Sequence, residues 1–110
     1  MSYEIILTEL FKKEAKKLAK KYPGLKDDLK NLEKELKHDP FQGDSLGRSC
    51  YKVRMQITGK HSGKSGGGRV ITYVKVIDKI IYLLSIYDKS YKEDLEEKEL
   101  DKLLKNLLGK

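Results

Sequence analysis

Cysteine is almost missing from this 110-residue chain: Cys50 stands alone, so no internal disulfide can form and no cysteine-based zinc site can assemble. Long apolar runs are missing too. The charge-free run Ile80 to Tyr87 has eight residues, against the roughly 20 that a membrane-spanning helix needs. The start, Met1-Ser2-Tyr3-Glu4, carries an acid where a secretory leader carries bases, and no small-residue cleavage site follows an apolar run. These absences lead us to expect a cytoplasmic protein without membrane contact. They also leave no internal repeat and no low-complexity tail. The length fits a single domain over residues 1–110, with 38% hydrophobic residues concentrated in periodic segments that can close a core.

The absence that bears most on function is that of acids in the middle of the chain. Lysine and arginine number 24 against 17 acids, a net charge of +7, which favours polyanionic partners without naming one. The excess is uneven: residues 41–89 hold nine basic and three acidic side chains, whereas residues 90–110 hold five and six. From Ser45 to Ile77 there are seven bases (Arg48, Lys52, Arg54, Lys60, Lys64, Arg69 and Lys75) and no acid. The sequence therefore predicts a basic field that nothing nearby in the chain neutralises.

Tyr3 to Leu7 reads as a short first strand. Leu7, Leu10, Phe11, Ala15, Leu18, Ala19 and Tyr22 then recur at helical spacing with Thr8 as N-cap, ending at Pro23-Gly24. Leu25, Leu29, Leu32 and Leu36 predict a second helix closed by Asp39-Pro40, so the two form a hairpin. Phe41 to Ser49, rich in Gly, Asp and Ser, reads as a loop. From Cys50 the period becomes two, and strands are expected over 50–58, 69–77 and 80–87, with a turn at Asp78-Lys79. Faces carrying Met55, Val74 and Leu84 should meet the helices. The opposite, open face should carry Lys52, Arg54, Arg69, Tyr73 and Tyr87, with Arg69 and Lys64 projecting into solvent. Leu95, Leu100, Leu103, Leu104 and Leu107 mark a C-terminal helix with acids at its start. The expected fold is α+β, an N-terminal helical hairpin on a small antiparallel sheet with a C-terminal helix.

Between the first two of those strands lies Gly59-Lys60-His61-Ser62-Gly63-Lys64-Ser65-Gly66-Gly67-Gly68-Arg69. Its Gly-Lys-Ser triplet imitates the end of a P-loop, but Thr58 stands where the first glycine is required and a strand follows where a helix must. Nucleotide hydrolysis is thereby disfavoured. A glycine backbone set with lysines can still approach and neutralise phosphates.

Tyr51-Lys52-Val53-Arg54, this loop, Gly68-Arg69-Val70-Ile71-Thr72-Tyr73 and Leu83 through Ser90 resemble the RelE/HigB toxins of bacterial type II toxin–antitoxin systems, and the likeness spans nearly the whole chain. It implies a ribonuclease that cleaves mRNA in the ribosomal A site and is restrained by a cognate antitoxin, for which a helix-turn-helix protein is expected. The related ParE-type gyrase poison and a non-catalytic RNA-binding module are the alternatives. Relatives carry a further arginine after the last strand and a tyrosine near the C-terminus. Here those stretches read Ser90-Tyr91-Lys92 and Glu96-Glu97, leaving Lys89 or Tyr91 to substitute.

RNA can be cut without a metal when its own 2′-hydroxyl attacks the adjacent phosphate. No cofactor is expected here, because the acid-free stretch and two separated histidines, His38 and His61, offer no ligand cluster. Arg69 and Arg54 are the candidates to hold the phosphate in its transition state. By resemblance, Lys60 and Lys64 serve in substrate binding and proton handling, and a lysine among cations has a lowered pKa. Lys89 could assist the leaving group. Lys52, Arg48 and His61 are candidate RNA contacts, and Tyr73 and Tyr87 candidate stacking platforms. Tyr82, His38 and Cys50 read as structural.

Overall fold

The computed structural model describes residues 3–60, 67–92 and 94–108. The two leucine-spaced segments form helices α1 (Glu9–Lys21) and α2 (Leu25–His38). Thr8 caps α1 as expected, its Oγ1 accepting from the Phe11 amide at 3.3 Å. The alternating segments give strands β1 (Glu4–Leu7), β3 (Cys50–Met55), β4 (Gly68–Lys75) and β5 (Ile80–Asp88), and the last leucines give helix α3 (Glu97–Leu107). Glu96 and Glu99 start α3 with a reciprocal capping box.

One element was not foreseen. Residues Asp44–Gly47, read above as loop, form strand β2 and pair with β3. The two-residue connection is Arg48-Ser49, with φ of 54° and 62°. Positive φ at both central positions is the hairpin geometry that Asn-Gly normally signals, and Arg-Ser gives no such signal. At the other end of β4 the expected strand was too long: Val76–Asp78 turn in a short 3-10 helix, leaving Val76 and Ile77 at 54% and 86% exposure. Lys79 follows in the left-handed region.

The five strands form one sheet in the order β1-β5-β4-β3-β2. All neighbours are antiparallel except β1, which runs parallel to β5. On one face Phe11, Leu25, Leu32 and Leu36 of the helical hairpin pack against Val53, Met55, Val70 and Leu83. On the other, Leu100 and Leu104 of α3 pack on Cys50, Ile71 and Leu84. The expectation that Leu84 faces the hairpin is thus overturned. Leu84 shares its face with Tyr82, and a register shift opposite Ile71 and Thr72 separates it from Ile86: Ile81, Leu83 and Ile86 face the hairpin, while Tyr82, Leu84 and Tyr87 face α3.

Glu14 of α1 serves that irregularity. Its Oε1 accepts from the Ser85 hydroxyl at 2.7 Å and from the Ile86 amide at 3.2 Å. Ser85 and Ile86 are buried, so losing the acceptor strands two donors. Glu14→Ala is expected to cost about 1–3 kcal/mol, read from the urea midpoint, with Glu14→Gln recovering most of the loss. An unchanged midpoint in the alanine variant would show that the shifted strand needs no outside acceptor.

Candidate functional site

Directly opposed residues of an antiparallel pair share a face. The register places Arg54 opposite Arg69 and Arg69 opposite Tyr87, so these three form a row across β3, β4 and β5. Lys52 lies one step along on the same face, opposite Ile71. Cys50 and Tyr73 lie one step further. The alternation read from sequence therefore grouped Lys52, Arg54, Arg69, Tyr73 and Tyr87 correctly.

That face is only partly open: helix α3 covers the apolar floor that Cys50, Ile71 and Leu84 supply, while Arg54 stays exposed. Arg69 is only 3% exposed and Tyr87 6%, so the expectation that Arg69 projects into solvent is corrected. Its Nη1 donates to the carbonyl oxygen of Gly68 at 3.0 Å. Arg54 is the exposed member of the row, with Asp44 of β2 at 3.9 Å. Burial pushes the Cys50 thiol up to about 11, in keeping with a structural side chain.

The expectation of an unneutralised field is overturned as well. Acids from outside the acid-free stretch fold back onto its bases. Lys52 pairs with Asp94 and Lys60 with Asp88, each at 2.5 Å, and Arg48 pairs with Asp101. All three partners come from the end of β5 and the segment through α3. A hydrogen bond from Lys52 holds the Asp94 carboxyl below its ordinary range, helped by the lysine's charge.

The most buried of these pairs marks the end of the sheet where the glycine-lysine loop is anchored. Side chains of Lys60 and Asp88 are 12% and 10% exposed. Asp88 also accepts from the Ser90 amide at 2.9 Å and hydroxyl at 2.8 Å, which fixes the turn after β5. On Asp88 burial raises the pKa, but the Lys60 ammonium and both Ser90 donors outweigh it and the net direction is down. The Lys60 amide donates to Ile57 and the Lys89 amide to Gly67. Both ends of the loop are therefore tied beside Arg69, and Lys60, Lys89, Arg69 and Arg54 gather at one end of the sheet. His61 and Lys64 lie outside the described residues. Sequence reasoning gave Asp88 no role, although it is the acid that ends β5 directly beside this anchored loop.

Arg48 and Tyr73 do not join that group. Tyr73 is four residues along β4 from Arg69, about 14 Å at the usual strand rise. Its ring stacks on Tyr82, centroids 5.9 Å apart and planes 23° from parallel. Tyr87 stays beside Arg69, yet it is no exposed platform: Lys92 sits 4.9 Å over its ring, and its buried hydroxyl has no hydrogen-bond partner among the described residues. Burial, with Asp94 adding its charge, raises the Tyr87 pKa. This phenol therefore keeps its proton near neutrality.

No helix among the described residues is long and apolar enough to cross a membrane. Residues 4–107 match the family model described as the RelE toxin of the RelE / RelB toxin-antitoxin system. Among solved structures the chain is similar to a double arginine-to-alanine mutant of the E. coli toxin RelE in its free state, with a TM-score of 0.65 and 19% identity over 97% of this chain and 99% of that one. At that identity the likeness speaks for the fold. Among curated proteins none matches the sequence.

Proposed function

The chain belongs to the RelE toxin family, and from that membership we propose that it is a metal-independent, ribosome-dependent endoribonuclease that cuts mRNA in the A site and stops translation. It acts in the cytoplasm as one domain and is held inactive by a cognate antitoxin of helix-turn-helix type. The observation that carries the chemical part is the row Arg54–Arg69–Tyr87, ending beside Lys60 and Lys89 where the loop is anchored.

In this reading the 2′-hydroxyl attacks the neighbouring phosphorus, a cyclic phosphate forms and the 5′-oxygen leaves. Arg69, backed by protein and held by the Gly68 carbonyl, presents a fixed fork to the phosphate as charge builds on it, and a preorganised donor in a dry setting is worth more than one in water. Exposed Arg54 captures the incoming strand. A loop lysine, Lys60 or Lys64, manages the attacking hydroxyl's proton, with His61 as a further candidate. Lys89 serves the leaving oxygen. Lys52 holds a flanking phosphate, and Arg48 and Tyr73 lie further along the same face as a distal RNA contact.

Induced expression of the chain alone is expected to arrest growth by halting protein synthesis, and mapping of message ends should show cuts inside translated codons. Intact messages with impaired DNA supercoiling would favour gyrase poisoning instead.

A further inference from the structure

Among the described residues, Lys52, Lys60 and Arg48 of the bases proposed to handle RNA already hold a carboxylate. Lys52 is 16% exposed at its side chain and is covered by the Asp94 carboxylate, itself 70% exposed. Asp94 is also near enough to Arg69 to feel its charge. It sits in the connection between β5, which ends at Asp88, and α3, which starts at Glu97. Asp101, further along, pairs with Arg48. A carboxylate resembles a phosphodiester in carrying one negative charge shared over two oxygens, and both accept charge-assisted hydrogen bonds from a lysine.

We propose that Asp94 is a built-in competitor for the substrate: it occupies the place of an RNA phosphate on Lys52, and the RNA must displace it to bind. This rests on the reading of the sheet face as the RNA site and adds a gate to it. The gate works by valence. A tethered carboxylate competes at high effective concentration against a single small anion, but RNA brings adjacent phosphates to Arg54, Lys52 and Arg69 together and outcompetes it. Because the Asp94 carboxylate is 70% exposed, its hold is weak, so the barrier selects against isolated anions without closing the site to a polyanion.

The test is binding of a labelled single-stranded RNA oligonucleotide to the purified full chain at 0.15 M salt. Asp94→Asn is expected to tighten binding about two- to fivefold, the range an exposed ion pair commands. The charge control is Glu4→Gln, an exposed acid on β1, three strands from β3. That separation is about 14 Å by strand spacing, beyond the roughly 8 Å screening length, so the control should stay within about 1.5-fold of the parent. In a Lys52→Ala background, which itself weakens binding, the gain from Asp94→Asn should disappear. Equal affinities for Asp94→Asn and Glu4→Gln overturn the competitor even if Lys52→Ala weakens binding. A gain that persists in full without Lys52 overturns it too. If neither Lys52→Ala nor Arg54→Ala changes affinity, the RNA face itself is misassigned and the competitor falls with it.

Discussion

Replacing Arg69 by lysine is expected to lower the rate of message cleavage about 100- to 1,000-fold, the range seen when one preorganised donor to a developing oxyanion is removed. Arg69 is 3% exposed, with one guanidinium nitrogen committed to the Gly68 carbonyl at 3.0 Å. A planar guanidinium is a fork that meets two phosphate oxygens at once. Lysine keeps the charge and most of the stem but presents a point donor that cannot hold both contacts. Arg69→Ala is a poorer test, because truncating a buried stem removes packing as well as charge and should lower the melting temperature. Single-turnover cleavage on programmed ribosomes, with thermal melting of the same samples, separates the two effects. A lysine variant that melts normally and cleaves at the parental rate would remove Arg69 from the chemistry.

How much of this arrangement could be read from the chain differs by element, for physical reasons. Period-two patterning put Arg54 and Arg69 on one face, and pairing made them direct neighbours, because side-chain direction in a strand is a local property. Strand β2 escaped notice because its turn is built from Arg48 and Ser49 with positive φ, where sequence offers no glycine or asparagine. Strict alternation puts Leu84 and Ile86 on one face, whereas a one-residue shift between them sends Ile86 to the hairpin and leaves Leu84 under α3, and the compensating acceptor, Glu14, is 71 residues away from Ser85. The amphipathic C-terminal helix was visible, but its place over the basic face depends on long-range packing that no local pattern encodes. The same holds for charge. An acid-free stretch in sequence became a paired one in space once Asp88, Asp94 and Asp101 returned to Lys60, Lys52 and Arg48.

Of those pairs the Lys60–Asp88 contact should be the most consequential to break. Removing one member of a buried ion pair strands the other, at a typical cost of about 3–5 kcal/mol. Here both side chains keep about a tenth of their exposure, so Asp88→Ala is expected near the lower end, about 3 kcal/mol. It also takes the acceptor from two Ser90 donors. Asp88→Asn retains an acceptor for Ser90 and loses only the charge, so it should be the milder variant and the cleaner test of function. With Lys60 no longer held, cleavage is expected to fall about 100-fold, the scale on which a small misplacement of a working group is felt. The carboxyl's pKa lies below its usual value of 3.8 in the folded chain. Its contribution is therefore complete above that value and is lost as pH falls through the lower, folded one. Asp94 and Glu99, also lowered by lysine partners, act in the same direction. The parent protein should thus melt progressively earlier as pH drops below 4.5, the ordinary value of Glu99, and then below the 3.8 of the two aspartates, and Asp88→Asn should flatten part of that acid limb. Identical acid limbs in the two proteins would show that the contact stores no folding energy, and a full cleavage rate in Asp88→Asn would show that Lys60 needs no anchor.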